Sequence, residues 1–129
     1  MSAGTPDDFD LVVVGAGPAG AACARVAAGA GLRVALLEAC ELPRAKSCAG
    51  GIPPKTLDEV GGELGDILEV HVTEAEAALR SRGRVQMSFP EGIGYTVMRA
   101  RFDAWLVERA AGAGAEVRTG VRVRGVELD

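Results

Sequence analysis

Residues 9–40, FDLVVVGAGPAGAACARVAAGAGLRVALLEAC, decide the fold of this chain. Within them, residues 11–14 form a short apolar, β-branched run of the kind found in strands that are buried on both faces. The glycine-rich turn GAGPAG follows directly at 15–20 and opens a predicted helix over residues 18–29. Residues 33–37 predict a second buried strand. The stretch therefore predicts a strand–turn–helix–strand unit of a Rossmann-like α/β domain with a parallel sheet.

The three glycines of this turn have separate physical roles. Gly15 permits the tight turn out of the strand, Gly17 has no side chain where a pyrophosphate would approach the backbone, and Gly20 lets the helix lie close against the strand. The first two residues of the predicted helix are Pro18 and Ala19. The helix has unpaired N–H groups and the positive end of its dipole at this terminus, and together they form a site for an anion. The pattern predicts a dinucleotide site. The alternative is a unit without a ligand, whose glycines serve packing only; it explains Gly20 well and Gly17 poorly.

An acidic residue and a long loop follow the second predicted strand. Glu38 ends that strand, where a carboxylate can accept hydrogen bonds from an adenosine ribose and would repel a 2′-phosphate. Residues 41–54 then predict a long loop at the sheet edge where ligands bind in open α/β folds. In this loop, Arg44 and Lys46 could offset phosphate charge. The alternative is a solvent loop with incidental charges.

The same loop carries a cysteine beside a pair of glycines. Gly50 and Gly51, next to Cys48, suit a close approach of the backbone to a planar ligand. Two interpretations of Cys48 stay open, a buried thiol without chemistry and a nucleophile, which would need a lowered pKa. A redox dithiol is excluded, because positions 49–53 hold no second cysteine and Cys40 lies across Pro43.

Composition bounds the class of protein. The chain has 129 residues, 48% hydrophobic and 25% charged, which is an ordinary balance for a globular domain. The net charge is −4 and the basic residues are scattered, so no nucleic-acid binding is predicted. No run approaches the roughly 18 apolar residues of a membrane span. The polar, acidic start of the chain excludes a secretory signal and predicts a flexible lead-in over residues 1–8. Peripheral membrane contact stays open.

The cysteines indicate a cellular compartment rather than a disulfide scaffold. Cys23, Cys40 and Cys48 are too few and too unevenly spaced for a disulfide framework, and a single histidine cannot complete a zinc site with them, so no metal is predicted. This usage predicts a reducing, cytoplasmic environment. Cys23 lies inside the first helix, where we expect a small core residue.

Hydrophobic spacing and turn residues predict the remaining elements. They are a pair of short helices from residue 54 interrupted at 61–62, a strand from 70, a half-buried strand at 84–89 with its partner at 94–98, a helix at 101–112, a third parallel strand at 116–118 and a strand pair around 121–126. We expect residues 9–69 and 99–129 to form the nucleotide-binding domain. Residues 70–98 would be a β-rich insertion belonging to a substrate-domain layer. Because the chain stops within a predicted strand, we expect an N-terminal piece of a longer protein.

With these residues in place, the chain resembles the geranylgeranyl reductase family of flavoproteins, within the p-hydroxybenzoate hydroxylase-like superfamily. Three blocks carry the resemblance: DLVVVGAGPAGAACA, KSCAGGIPPKTL and GYTVMRARFDAWLVERAAGAGAEV. The first block is shared by very many FAD proteins and identifies only the cofactor class. The second and third, in that order and separation, are much more specific.

The resemblance implies FAD as cofactor and a set of residues that would hold it. That set is Gly15, Gly17, Pro18, Ala19, Gly20, Glu38, Arg44, Cys48, Gly50, Gly51 and Arg99. The turn and Glu38 would hold the ADP half, and Arg99 is similar to the arginine that reaches the FAD diphosphate. Cys48 belongs to the motif beside the isoalloxazine and is the candidate catalytic residue.

The resemblance also implies a reaction. Members of the family reduce isolated C=C bonds of geranylgeranyl chains, with reduced FAD as hydride donor and NAD(P)H or ferredoxin as electron source. The family's second FAD motif, a Gly-Asp near the flavin ribityl, is absent because the chain ends before it, so we expect no activity from the chain alone. Two alternatives stay open: an FAD-dependent aromatic hydroxylase of the same fold, and a non-catalytic nucleotide-binding module.

Overall fold

The computed structural model describes residues 8–61, 63–80 and 82–128. The predicted flexible lead-in therefore lies outside the described residues except for Asp8, and so does Gly62 of the predicted helix interruption. In chain order the elements are β1 (Leu11–Val14), α1 (Pro18–Gly29), β2 (Val34–Leu37), β3 (Gly51–Ile52), α2 (Pro54–Val60), a 3-10 turn (Gly65–Ile67), β4 (Leu68–Val72), β5 (Glu74–Leu79), β6 (Gly83–Ser88), β7 (Gly94–Val97), α3 (Arg99–Gly112) and β8 (Glu116–Arg118).

The chain divides into two compact units. The first contains the residues up to 45 and those from 100 onward, and the second contains residues 46–99. The predicted assignment of residues 70–98 to a substrate-domain layer stays a prediction. Within the described ranges, none of the helices combines the length and the apolar character that crossing a membrane would require.

The first unit is built on a parallel three-stranded sheet in the order β1-β2-β8, with β2 in the centre. Val14 pairs with Leu37 of β2, and Leu36 pairs with Val117 of β8. Val34 and Leu36 are at most 1% exposed, as expected for a central parallel strand that is covered on both faces. The predicted α/β fold with a parallel strand–helix–strand unit is confirmed. The prediction that β1 is buried on both faces was wrong, because Val12 and Val14 are exposed.

Small residues let α1 lie close to the sheet. The helix contacts both β1 and β2 and buries a stripe of alanines, Ala21, Ala24 and Ala28. Cys23 falls off this stripe by about half a turn of the helix and is exposed, so the prediction of a core cysteine was wrong. The predicted apolar stripe of α3 is buried at Phe102, Leu106 and Ala110.

The second unit is a long antiparallel hairpin with a short third strand. Strands β4 and β5 follow one another along the chain; β5 pairs with β6, and β4 pairs with β7, which also pairs with β3. Between the two ladders, Phe89 N donates to Thr73 O at 2.7 Å and Ile93 N donates to Val72 O at 2.8 Å. Residues 89–93 therefore form an irregular segment in the return strand.

Four sequence predictions for the elements that follow β2 were wrong. Residues 94–98 do not pair with the strand at 84–89, because the strand partner of β6 is β5, whose sequence EAEAAL has too little β propensity to reveal it. All six residues of β6 are exposed rather than half-buried. Among the described residues beyond β8, the segment 119–128 forms no strand. After Gly61, the only helical segment before β4 in the described ranges is the 3-10 turn.

Candidate functional site

The glycine turn between β1 and α1 contains two glycines that the fold itself requires. Gly15 has a φ of +98°, a conformation that side chains disfavour, and its N–H donates to Leu37 O at 2.7 Å. A Cβ at Gly20 would collide with the carbonyl oxygen of Gly15 and would press on the side chain of Val13 at 3.3 Å. These two positions are therefore glycine for reasons of turn geometry and of helix–strand packing.

Gly17 differs, because none of the described residues demands a glycine there. Its φ of −77° and ψ of −178° are open to any residue. Within the part of the chain that the structure describes, a Cβ at this position would meet only Nη2 of Arg44, at 3.9 Å, which is an ordinary van der Waals distance. The open face at Gly17 therefore leaves room for a group from outside the chain.

The amino end of α1 lies at this open face. Gly17 is the N-cap residue, and no described side chain caps it. Pro18 has no N–H, and the amides of Ala19 and Gly20 lie in the first turn, where the helix offers no acceptor. With the positive end of the helix dipole, these amides form a donor set suited to phosphate oxygens.

Glu38 joins the end of β2 to the glycine turn. The residue is 7% exposed; its Oε2 accepts from Ala16 N at 2.8 Å and its Oε1 accepts from Cys40 N at 3.1 Å. Burial by itself raises the pKa of Glu38, but the two backbone N–H groups and the guanidinium of Arg44 outweigh burial and hold the pKa below its ordinary value. The side chain is therefore an anion at neutral pH, and it fixes the turn at Ala16.

Arg44 lies between two carboxylates. Its Nε is 3.4 Å from Oε1 of Glu38, and its Nη1 donates to Oδ2 of Asp103 at 3.0 Å. The side chain of Arg44 is 15% exposed and that of Asp103 is fully buried. Glu38, Arg44 and Asp103 thus connect the end of β2, the loop after it and helix α3 beside the glycine turn.

Sequence reasoning missed Asp103. The signal was present, because Asp103, Val107 and Ala110 occupy the spacing of a buried helix stripe, and all three are buried. A carboxylate in an apolar stripe indicates a buried partner. The partner could not be found from the sequence alone, since Arg44 lies 59 residues earlier in the chain.

The cysteine loop belongs to the second unit. Cys48 is exposed, so the interpretation of a buried thiol was wrong, and its Sγ accepts from Gly50 N at 3.4 Å. Gly50 has a φ of +72°, and a Cβ there would collide with the carbonyl oxygen of Val97. Gly51 has no comparable reason to be glycine, since a Cβ there would meet nothing within 4 Å.

The structure brings together five of the predicted cofactor-binding residues in the first unit: Gly15, Gly17, Gly20, Glu38 and Arg44. Pro18 and Ala19 begin α1 beside them. The others, Cys48, Gly50, Gly51 and Arg99, lie in the second unit, and Arg99 is the first residue of α3. Their roles toward a cofactor stay predictions. Within the described ranges, no three His, Cys, Asp or Glu side chains form a group that could hold a metal.

Comparison with known proteins gives a family and several relatives. The sequence profile of the pyridine nucleotide-disulphide oxidoreductase family matches residues 9–95. Digeranylgeranylglycerophospholipid reductase 1 of Methanopyrus kandleri is 41% identical over 95% of this chain and 32% of its own length. A probable electron transfer flavoprotein-quinone oxidoreductase of Escherichia coli, YgcN, is 41% identical over 91% of this chain and 29% of its own. The chain thus spans about a third of the length of these relatives.

The comparison with solved structures also finds a geranylgeranyl reductase-like protein and other flavoproteins. A geranylgeranyl bacteriochlorophyll reductase-like protein of Thermoplasma acidophilum superimposes with a TM-score of 0.78 at 28% identity, over 87% of this chain and 30% of that one. The myxobacterial chondrochloren halogenase CndH, an FAD-dependent halogenase, gives a TM-score of 0.71 at 29% identity, over 87% and 28% of the two chains. The predicted resemblance to geranylgeranyl reductases is confirmed, and FAD, the cofactor predicted from the sequence, is the cofactor of this halogenase.

Proposed function

The chain belongs to the pyridine nucleotide-disulphide oxidoreductase family, and we propose that it binds the ADP half of FAD in an enzyme that reduces C=C bonds of geranylgeranyl chains. The observation that carries the binding site is Gly17. The fold leaves room for a Cβ at this position, yet it is glycine at the amino end of a helix, next to the half-buried Arg44. A group that must approach the backbone accounts for this combination, and a diphosphate is such a group.

The residues of the first unit fit the ADP half of FAD in charge and in hydrogen-bonding type. The amides of Ala19 and Gly20 supply donors for the diphosphate, and Arg44 supplies a cation on the side of Gly17. Glu38 supplies a carboxylate at the end of β2, where a ribose would lie. Bound FAD would supply the hydride chemistry that no side chain of this chain can perform.

A redox dithiol in the loop that carries Cys48 does not suit this chain. Its cysteines form no disulfide in the structure, and no cysteine follows Cys48 within the next five positions. A dithiol mechanism needs two thiols that can meet. We therefore assign the reaction to flavin and substrate. Cys48, which is exposed, and Gly51, which has open space above it, are proposed to face them.

The proposed substrate class is an isoprenoid chain with isolated double bonds. The support comes from the names of the relatives: a digeranylgeranylglycerophospholipid reductase at 41% identity and a geranylgeranyl bacteriochlorophyll reductase-like structure at 28%. The electron donor, NAD(P)H or ferredoxin, and a cytoplasmic location with peripheral membrane contact are part of the same proposal.

A second candidate keeps FAD and changes the chemistry. The halogenase neighbour and the quinone oxidoreductase relative, at 29% and 41% identity, favour other uses of a flavin on this fold. An aromatic hydroxylase, in which reduced flavin captures oxygen, belongs to this group. A non-catalytic nucleotide-binding module is the third alternative, and it predicts ADP binding without redox turnover.

The decisive experiment is a reduction assay on the full-length protein that carries this sequence. The flavin is reduced chemically without oxygen, a geranylgeranyl lipid is added, and mass spectrometry follows the lipid. Stepwise gain of hydrogen pairs supports prenyl reduction. An unchanged lipid would contradict it. Rapid oxygen consumption with an aromatic substrate would then favour the hydroxylase, and electron transfer to a quinone would favour the other relative.

Two variants separate binding from chemistry in that assay. Gly17→Val is expected to abolish flavin retention and turnover together, because its side chain would occupy the open face at the turn. Cys48→Ser is expected to leave flavin retention unchanged and to lower the rate of lipid reduction. Gly112→Ala, at the carboxyl end of α3 with open space around it, is the matched control and should alter neither.

A further inference from the structure

The burial of the Asp103 carboxylate in the first unit calls for an explanation. Its side chain is fully buried on α3, in a stripe whose other members are apolar. A buried ion pair seldom stabilises more than well-packed apolar side chains of similar size would, so stability is a poor reason for an acid here. The position of its partner gives a better one.

Asp103 fixes the direction in which Arg44 points. The planar guanidinium donates through Nη1 to Asp103 at 3.0 Å, and its Nε lies 3.4 Å from Glu38. Because the carboxylates of Glu38 and Asp103 contact different nitrogen atoms of the rigid guanidinium, the guanidinium plane has a single orientation. In that orientation Nη2 lies beside Gly17, 3.9 Å from the position of a Cβ.

We propose that Asp103 is a positioning residue of the dinucleotide site, which holds Arg44 so that Nη2 faces the diphosphate at the glycine turn. The proposal rests on the proposed function of that turn. Because the guanidinium of Arg44 is paired with the carboxylates of Glu38 and Asp103, its charge is offset and its long-range attraction of an anion is weak. Arg44 therefore contributes through the direction of its N–H groups, and losing Asp103 should cost diphosphate affinity specifically.

The test compares ADP with adenosine on the full-length protein freed of flavin, by titration calorimetry. Asp103→Leu is expected to weaken ADP roughly tenfold or more, the loss of about one charge-assisted hydrogen bond, and to leave adenosine affinity unchanged. Arg44→Met should weaken ADP to the same extent. In the Arg44→Met background, Asp103→Leu should have no further effect, since Asp103 acts through Arg44.

Conservative variants distinguish positioning from folding. Asp103→Asn keeps an oxygen acceptor for Nη1 and should restore ADP affinity to within about threefold of wild type. Glu108→Gln removes an acid from the exposed side of the same helix and should change nothing. If Asp103→Leu does not fold, Arg44→Lys replaces it: the charge stays, but one ammonium cannot meet both carboxylates and the ligand in the same geometry, so ADP should weaken as in Arg44→Met.

Several results would overturn the inference. They are equal losses for ADP and adenosine in Asp103→Leu, additive losses in the double variant, and wild-type ADP affinity in Arg44→Lys. Failure of the proposed function looks different, because the wild-type protein would then bind neither ADP nor FAD. Wild-type binding with an unaffected Asp103→Leu variant would remove only the role of Asp103.

Discussion

Replacing Gly17 by alanine should separate the stability of the fold from its affinity for a dinucleotide. The backbone of Gly17, at φ −77° and ψ −178°, accepts alanine without strain, and the new methyl group would have only Nη2 of Arg44 as a neighbour, at 3.9 Å. The native chain has room for it. The expected damage is confined to whatever binds at this open face.

The two magnitudes can be worked from this geometry. Loss of backbone freedom in the unfolded chain stabilises the alanine variant by about 0.4–1 kcal/mol. Alanine is a poorer N-cap than glycine, which costs roughly 0.5–1.5 kcal/mol. The terms oppose each other, so the free energy of unfolding should change by less than about 1 kcal/mol and the melting temperature by less than about 5 °C. Loss of one phosphate contact at the helix terminus costs about 1.5–3 kcal/mol, roughly ten- to hundredfold in ADP affinity.

Thermal unfolding of the flavin-free protein and ADP titration measure the two quantities. Gly29→Ala, at the other end of α1 and also with open space around it, is the matched control: it should stabilise slightly and bind ADP as wild type does. An alanine at Gly17 that leaves ADP and FAD affinity unchanged would refute the reasoning. So would a melting temperature lowered by ten degrees or more, since the position would then matter to the fold.

Three further outcomes follow from the same geometry. Gly20→Ala should lower the melting temperature of the flavin-free protein, because its methyl group would collide with the carbonyl oxygen of Gly15; an unchanged value contradicts the packing argument. Glu38→Gln should destabilise the protein in a pH-dependent way. The native pKa of Glu38 lies below its ordinary 4.5, so the carboxylate's contribution is complete above about pH 4.5 and is lost as pH falls through the native pKa. The difference in melting temperature between wild type and variant should therefore shrink as the pH falls below about 4.5. Cys48, which is exposed, should react with a maleimide in the flavin-free native protein, whereas protection there would contradict its exposure.

Local sequence patterns predicted the first unit well because its elements are strongly periodic and its turn chemistry is specific. The run LVVV, the turn GAGPAG and the buried strand VALL are neighbours in sequence and in space, so short-range rules suffice. The predicted strand at 116–118 was confirmed as the third parallel strand. What escaped was the pairing of Arg44 with Asp103, since the fold brings these residues together across 59 positions.

The second unit was predicted less well for a different physical reason. Alternation in VQMS indicated a strand, but strand pairing depends on the partner, and Glu74–Leu79 was hidden by its alanines and glutamates. The valines around 121–126 look like strand residues, yet a strand needs a neighbour, and none of the described strands pairs with this segment. Strand propensity was therefore mistaken for evidence of strand pairing.

The glycines of this chain show how a ligand site can be distinguished from the demands of a fold. Gly15, Gly20 and Gly50 are explained by a positive φ or by a backbone atom where a Cβ would lie. Gly17 has neither reason, but neither does Gly29, so an unexplained glycine alone is weak evidence. What sets Gly17 apart is its surroundings: a helix amino end that no described side chain caps, and a guanidinium held in place by two carboxylates. The diphosphate of a dinucleotide requires an anion site of this kind. Because two carboxylates hold the guanidinium of Arg44, the selectivity of this site depends on the direction of the N–H groups of Arg44 as well as on their charge.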